Sequence, residues 1–526
     1  MHADIPATVP RVLARAAQLF GDAPAIIEGA RRLSFRELAV QAHAASAAFI
    51  AAGIEPAERI ALWAPNSSDW VIAALGALGA GAVIVPLNTR LKGKEAALIL
   101  RRSRARLLLS VGEFLGTRYP QLLAGESLPQ LERLVILGEP SQNTAAPAQV
   151  WSDFLAAGSS VPHDAVRAAH ERVAAEDIAD ILFTSGTTGE PKGVLSSHQQ
   201  NVHVFRTWSE VVGLTRGDRY LGVNPFFHSF GYKAGWLACL LQGAAIYPLA
   251  VFDAARALDA IEDERITVLP GPPTLYQGLL AHESLPRRDL SSLRLAVTGA
   301  ASVPPALITR MRRELKFKSV LTAYGLTEST GVVTICPHDA DDETVATRCG
   351  VAIPGVEVRC VDAGGAAVPT GTPGEVLVRG YNVMRGYFED PRATQAAIDP
   401  DGWLHTGDVG VLDERGYLRI TDRIKDVFIV GGFNCYPAEI ERLLSDHPAV
   451  AQAAVIGVPD ERLGEVGKAY VVLRPGAQAS PETLIAWSRE NMANYKVPRS
   501  VELVTQLPVN AAGKVQKFAL REGHAR

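Results

Sequence analysis

Between about Arg31 and Thr330 the chain repeats one rhythm: an apolar strand-like run, a Gly/Pro loop, then an amphipathic helix-like stretch. Arg265–Leu280 (RITVLPGPPTLYQGLL) and Leu293–Leu315 (LRLAVTGAASVPPALITRMRREL) are two copies of it. Such alternation constrains the chain to an α/β fold, because strands separated by helices pair in parallel and need helices on the sheet faces. Ligands bind such sheets beyond the carboxyl ends of the strands. At 526 residues the chain is also too long for a single core. From Gly355 to Ile420 the texture changes to short strands and turns (GVEVRCVDAGG, PGEVLVRG, RGYLRITDR), which predict a β-rich subdomain. Past Asp422 a smaller module begins. Pro437 opens a helix, VAQAAVIGV and KAYVVLRP read as strands, Ser480 caps a second helix and SVELVTQLP reads as a strand. The expected architecture is a large N-terminal domain of helix-covered, mostly parallel sheets with a β-rich subdomain, then a small α+β C-terminal domain. Gln142–Pro147 reads as a mobile surface loop.

A net charge of −4 gives no reason to expect nucleic acid or an anionic membrane as partner. Five cysteines (Cys239, Cys336, Cys349, Cys360, Cys435) lack C-x-x-C spacing, so free thiols are expected, with neither a zinc site nor a disulfide framework. The first residues, MHADIPATVPRVLARAAQLF, lack a signal-peptide core, and a cytoplasmic protein is expected. Trp70–Leu87 is apolar over 18 residues, long enough to raise the question of a membrane span. Its glycines and Pro86 fit a buried helix–turn–strand better, so no transmembrane segment is expected.

The chemistry concentrates in four motifs. Thr184-Ser185-Gly186-Thr187-Thr188-Gly189-Glu190-Pro191-Lys192-Gly193 gathers hydroxyls, glycines and a lysine after the apolar run Ile181–Phe183, and a helix-like segment starts near Ser197. In a strand–loop–helix setting, backbone N–H groups and hydroxyls approach an anion closely and Lys192 adds charge. The loop fails the P-loop pattern, since Lys192 is flanked by Pro191 and Gly193. The second motif, Tyr324-Gly325-Leu326-Thr327-Glu328, offers a flat ring, a hydroxyl and a hard oxygen ligand suited to magnesium. A core tyrosine beside a surface glutamate would account for it as well. Third, Asp408 closes Trp403-Leu404-His405-Thr406-Gly407-Asp408, read as a turn after an aromatic anchor, where a carboxylate could accept two ribose hydroxyls. Fourth, Lys514 ends Pro508–Lys514, a flexible turn where a lone lysine is ordinarily a solvated charge.

In this order and spacing the four motifs resemble those of the acyl-adenylate-forming superfamily of acyl-CoA synthetases, peptide-synthetase adenylation domains and luciferases, over essentially the whole chain. The resemblance implies an N-terminal domain over 1–422 (β-rich part 355–420), a hinge at 423–425 centred on Lys425, and a rotating lid over 426–526. It implies that Thr184, Ser185, Gly186, Thr187, Thr188, Gly189 and Lys192 hold the β- and γ-phosphates of ATP. Gly299, Ala300 and Ala301, with Ala323, Tyr324 and Gly325, would frame the adenine. Thr327 would contact the α-phosphate, Glu328 the Mg2+, and Asp408 and Arg423 the ribose, with Lys514 the adenylating lysine. Gly431, Gly432 and Phe433 would line a coenzyme A tunnel, the glycines leaving room for a pantetheine arm.

Asn224-Pro225-Phe226-Phe227-His228-Ser229-Phe230-Gly231 bears on the branch. Amino-acid-activating relatives generally place an Asp near this region; here it is aromatic with His228 as the polar member, similar to acyl- and aryl-CoA synthetases. The implied acid pocket is Phe227, His228, Phe230, Lys233, Gly299 and Gly325, with His228 counted among the catalytic residues. A satisfied core histidine is the plainer account of His228. NPFFHSFGYKAG, VLPGPPTLYQGLL, LTAYGLTE and GGFNCYPAEIE are similar to the bacterial ligases of steroid catabolism, which activate an indanedione propanoate. Lys233 either reaches a ring ketone of such an acid or is a solvated lysine on the rim. Medium-chain, alicyclic or aryl acids are the alternative substrates, and loading of a carrier protein in place of free CoA is the alternative reaction. Gln516-Lys517 departs from the family, which often has an arginine there. The resemblance leaves open a monomer or a homodimer.

Overall fold

The computed structural model describes residues 6–138, 148–184, 191–299, 303–423, 426–430, 433–460, 463–492, 494–509 and 515–524; of Asp422, Arg423, Ile429, Phe433, Asn434, Gly523 and His524 it describes the backbone alone. Gln142–Pro147 therefore lies outside the described residues.

Two large sheets carry the N-terminal part. In the first, eight strands run in the order Gly386–Tyr387, Lys192–Ser197, Ile178–Thr184, Val83–Pro86, Arg59–Trp63, Leu107–Val111, Arg133–Leu137 and Ala148–Val150. All pairs from Ile178–Thr184 to Ala148–Val150 are parallel, as alternation with helices requires. The two strands at the other edge pair antiparallel. The second sheet has two four-stranded sections, one holding Arg219–Gly222, Ala245–Pro248, Pro24–Glu28 and Arg31–Ser34, the other Leu295–Gly299, Ser319–Tyr324, Thr334–Ile335 and Val351–Ala352. Val268 joins them by bridging Tyr220 and Leu295 in parallel.

Trp70–Leu87 forms the helix Ser68–Gly79, a turn, and the fully buried strand Val83–Pro86. Its neighbour is the helix Phe35–Ala51, which Ser34 and Glu37 start with a capping box. The two helices touch at Gly76, where an added Cβ would lie 2.4 Å from the Ala45 Cβ. The apolar length of this segment thus reflects burial on all sides. No helix among the described residues is long and apolar enough to cross a membrane.

The β-rich part is one antiparallel sheet of Val356–Val361, Gly374–Gly380, Leu404–Leu412 and Leu418–Arg423. Trp403 anchors it, its ring between the guanidinium groups of Arg359 and Arg379 at 4.0 and 4.6 Å. The C-terminal part builds its own core on Val430, Ile440, Leu444, Val455, Val471 and Leu484. Its helices Pro437–Ser445 and Pro481–Asn491, and its strands Val450–Asp460, Gly464–Leu473 and Ser500–Leu503, fall where the sequence places them. The five cysteines are free thiols.

Two local expectations need correction. The helix expected near Ser197 is present as His198–Val212, capped by Ser197, but it does not follow the loop directly, because Lys192–Ser197 is a strand. The phosphate motif therefore sits in a strand–loop–strand setting. Asp408 is not in a turn but inside the strand Leu404–Leu412; Gly407, at φ 69°, takes the left-handed conformation there and gives the segment its turn-like sequence.

Buried histidines give this fold a pH dependence. His198, 1% exposed, accepts a hydrogen bond at Nδ1 from the Val9 N–H, and burial lowers its pKa to about 4. His170 is lowered to about 4 by burial first and by neighbouring His43 and His163 second. The folded values lie below the ordinary 6.5, so the unfolded chain binds the extra protons. Stability is therefore full above pH 6.5 and falls as the pH drops toward 4, by about 1.4 kcal/mol per pH unit for each histidine. Urea unfolding between pH 7 and pH 5 should show this slope, and His198→Asn should remove its share.

Candidate active site

The strands Leu295–Gly299 and Ser319–Tyr324 end side by side, and the turn after them is linked through Tyr387 to the start of the strand Lys192–Ser197. Thr184 ends the strand Ile178–Thr184 and pairs with Lys192, the first residue of the next strand, so the two residues that flank the phosphate motif lie side by side. Ser185, Gly186, Thr187, Thr188 and Gly189 lie outside the described residues. Lys192 holds its ammonium 4.9 Å from the centre of the Tyr387 ring.

Beside it, Thr327 and Glu328 lie on a single tight helical turn, Thr327–Ser329, which Thr330 (φ 56°) and Gly331 (φ 102°) terminate. The Ser329 hydroxyl accepts from the Leu326 N–H and the Met384 N–H donates to the Glu328 carbonyl, fixing the turn from both sides. The Tyr387 hydroxyl donates to Glu328 Oε1 at 3.0 Å. Burial, then the neighbouring carboxylate, raises the pKa of this phenol and keeps it a donor. Lys192, Tyr387 and Glu328 are therefore one cluster, and Tyr387 carries no signal in the sequence motifs.

Gly299 and Ala323 are paired at the ends of adjacent parallel strands. A Cβ on Gly299 would lie 2.7 Å from the Ala323 carbonyl oxygen, and one on Gly325 2.2 Å from that of Gly331. Both glycines permit a close backbone approach that any side chain would block. Ala300 and Ala301 are outside the described residues. The Tyr324 hydroxyl donates to Asp408 Oδ2 at 2.6 Å, joining the two motifs, and Asp408 is 4% exposed. Asp408 pairs along the backbone with Arg423, whose side chain is outside the description.

His228 caps the single turn Ser229–Gly231. Its Nδ1 accepts from the Phe230 N–H at 3.2 Å, so the proton of the neutral ring sits on Nε2. The residue is exposed at the surface, and desolvation by the surrounding protein lowers its pKa. His228 is therefore not a core histidine: it presents one N–H donor. Phe227 and Phe230 flank it, half-buried. Asn66, which no motif singles out, fixes this loop by accepting from the Phe226 N–H and donating to the carbonyls of Gly222 and Asn224.

Lys233 takes neither expected role. It is 0% exposed, so it is not a rim lysine, and its ammonium lies 3.0 Å from Asp180 Oδ1 and 2.9 Å from Ser196 Oγ. Asp180 is equally buried and accepts a further bond from Asn201 Nδ2 at 2.5 Å. Burial pushes the lysine pKa down and Asp180 opposes it. A charge committed this way ties the segment after His228 to the strand that leads into the phosphate loop.

The remaining predicted residues belong to the C-terminal part. Lys425, Gly431, Gly432 and Lys514 lie outside the described residues, and Phe433 opens the strand Phe433–Cys435. Around Lys514 the chain is held by a Val509–Val515 bridge and by the Gln516 N–H on the Pro508 carbonyl. Lys517 pairs with Glu441 at 2.9 Å.

The family described as "AMP-binding enzyme" matches residues 13–388, and "AMP-binding enzyme C-terminal domain" matches residues 439–514. A 7a-methyl-1,5-dioxo-octahydro-inden-4-yl propanoyl:CoA ligase of Mycobacterium tuberculosis is 51% identical over 515 residues, covering 98% of each chain. The ligase of the same name from Rhodococcus jostii is 49% identical over 519 residues, covering 98% of this chain and 99% of its own. Among solved structures, the anthranilate CoA ligase AuaEII in complex with anthranoyl-AMP superposes with a TM-score of 0.88 at 29% identity, covering 99% of this chain and 98% of that one.

Proposed function

The chain belongs to the AMP-binding enzyme family and is an acid–CoA ligase working through an acyl-adenylate; from that premise we propose that its acid is the indanedione propanoate left when two steroid rings have been degraded. The observation that carries this reading is the full-length similarity, at about half identity, to two ligases named for that acid.

In the first step an oxygen of the acid's carboxylate attacks the α-phosphorus of ATP; an O–P bond forms, the bond from the α-phosphorus to the α–β bridging oxygen breaks, and pyrophosphate leaves with that oxygen. Two anions must meet, so cationic and hydrogen-bonding groups aimed at the developing charge lower the barrier. Lys192 and the loop before it would hold the β- and γ-phosphates, with Thr327 at the α-phosphate. The paired strand ends at Gly299 and Ala323 would make a floor for the adenine, and Tyr324, which donates to the Asp408 carboxylate, would orient it toward the ribose. His228, neutral with its proton on Nε2, would donate to the acid's carboxylate and hold it for in-line attack.

Mg2+ would supply Lewis-acid screening of the phosphates. Among the described residues no group of three or more His, Cys, Asp or Glu could hold a metal ion. One hard carboxylate, Glu328, beside a phosphate-directed lysine fits an ion that takes most of its oxygens from substrate and water.

In the second step the CoA thiol attacks the acyl carbonyl; a C–S bond forms, the C–O bond to AMP breaks and the thiol proton is lost. Rotation about Lys425 would withdraw Lys514 and present Gly431–Gly432 to the pantetheine arm.

The test is product formation by the full-length protein from ATP, Mg2+, the indanedione propanoate and free CoA. The bicyclic acyl-CoA and stoichiometric AMP are expected. AMP release that is unaffected by free CoA would contradict the ligase reading and favour transfer to a carrier protein.

A further inference from the structure

With Glu328 taken as the magnesium carboxylate proposed above, we propose that Tyr387 is a positioning residue for adenylate formation, one side chain that seats both the metal carboxylate and the phosphate lysine. Its hydroxyl donates to Glu328 Oε1 at 3.0 Å, while its ring lies under the Lys192 ammonium at 4.9 Å. The hydrogen bond fixes one carboxylate oxygen and hence the plane in which the other meets a cation. The ring face attracts the ammonium through its negative quadrupole and limits where that charge can sit.

The backbone around Tyr387 is built to hold this pose. Gly386 and Tyr387 form a two-residue edge strand paired with Leu195 and Val194 of the strand that Lys192 begins. On either side, the Arg385 N–H donates to the Leu195 carbonyl and the Phe388 N–H to the Gly193 carbonyl, at 3.0 and 2.7 Å. The Tyr387 N–H donates to Thr394 Oγ1 at 2.9 Å. One residue further back, the Met384 N–H donates to the Glu328 carbonyl at 2.8 Å. A single short segment thus clamps the start of the phosphate-binding strand and the turn that carries Glu328. These two motifs lie far apart in the chain, and Tyr387 sets the distance between their charges. A residue that hydrogen-bonds a metal's carboxylate ligand tunes metal affinity without touching the metal.

The test uses the full-length protein with two variants and one control. Tyr387→Phe removes the hydroxyl and keeps the ring; Tyr387→Leu removes both; Glu328→Gln removes the proposed metal ligand. Calorimetry measures affinity for ATP with Mn2+ and for ATP in EDTA, and pyrophosphate exchange gives the Mg2+ concentration for half-maximal rate. Tyr387→Phe should weaken Mn2+–ATP about tenfold relative to metal-free ATP. It should raise the Mg2+ requirement in step, with KM for the acid and the ligand-free unfolding midpoint unchanged. Tyr387→Leu should in addition weaken metal-free ATP, because Lys192 loses its seat. A wild-type ratio of the two affinities in Tyr387→Phe, with that ratio collapsed in Glu328→Gln, overturns the role of Tyr387 and leaves Glu328 in place. An unchanged ratio in Glu328→Gln overturns the metal role of Glu328 and the inference with it.

Discussion

Lys514→Ala is expected to cut adenylate formation by about 100- to 1,000-fold, about 3–4 kcal/mol of transition-state stabilisation. The basis is the charge problem of the first step: a carboxylate approaches a polyphosphate, and the cations aimed at the α-phosphorus decide the rate. Thioester formation from a supplied acyl-adenylate should survive largely intact, because the C–O bond broken in that step needs no lysine at the α-phosphate. Separate assays of pyrophosphate exchange and of acyl-CoA formation from synthetic adenylate check this. Equal loss in both would mean that the lysine serves both steps, and rotation of the lid at Lys425 would lose its rationale.

Lys233→Met is expected to destabilise the N-terminal domain by about 3–5 kcal/mol, because it leaves the buried Asp180 carboxylate without a cation. Methionine keeps most of the aliphatic volume, so the cost reports the charge more than a cavity. In the double variant Lys233→Met/Asp180→Asn both charges are gone and an amide oxygen still accepts from Asn201, so most of the loss should be recovered. Denaturant unfolding of the wild type, Lys233→Met, Asp180→Asn and the double variant gives the coupling directly. Additive losses would mean that the two charges do not stabilise each other. Any residual defect in adenylation by a stable double variant measures how far the pair positions the His228 segment against the phosphate strand.

The alternation of strands and helices was legible because its two periods differ and because Gly and Pro punctuate it. The parallel order from Ile178–Thr184 to Ala148–Val150 follows from that rhythm. Tyr324, Glu328 and Asp408 were legible as motif residues, and the structure adds that the first donates to the third. Lys192–Ser197 was not legible as a strand: its lysine and glycine read as loop and Ser197 as the start of a helix, and only pairing to strands on both sides makes it regular. Tyr387 was hidden for a similar reason. It is 59 residues from Glu328, in a two-residue strand whose existence depends on the sheet edge it meets. Lys233 was noticed as an unusual charge, but its partner Asp180 sits inside an apolar strand and is matched to it by tertiary packing alone.

The substrate is the central claim, and competition tests it most directly. Equal concentrations of the indanedione propanoate and octanoate are mixed with enzyme, Mg2+, CoA and limiting ATP, and the two acyl-CoA products are quantified by mass spectrometry. Their ratio is the ratio of specificity constants. At least about a hundredfold excess of the bicyclic product is expected, equivalent to about 2.7 kcal/mol in the transition state; comparable amounts of the two thioesters would rule out a steroid-derived acid as the preferred substrate.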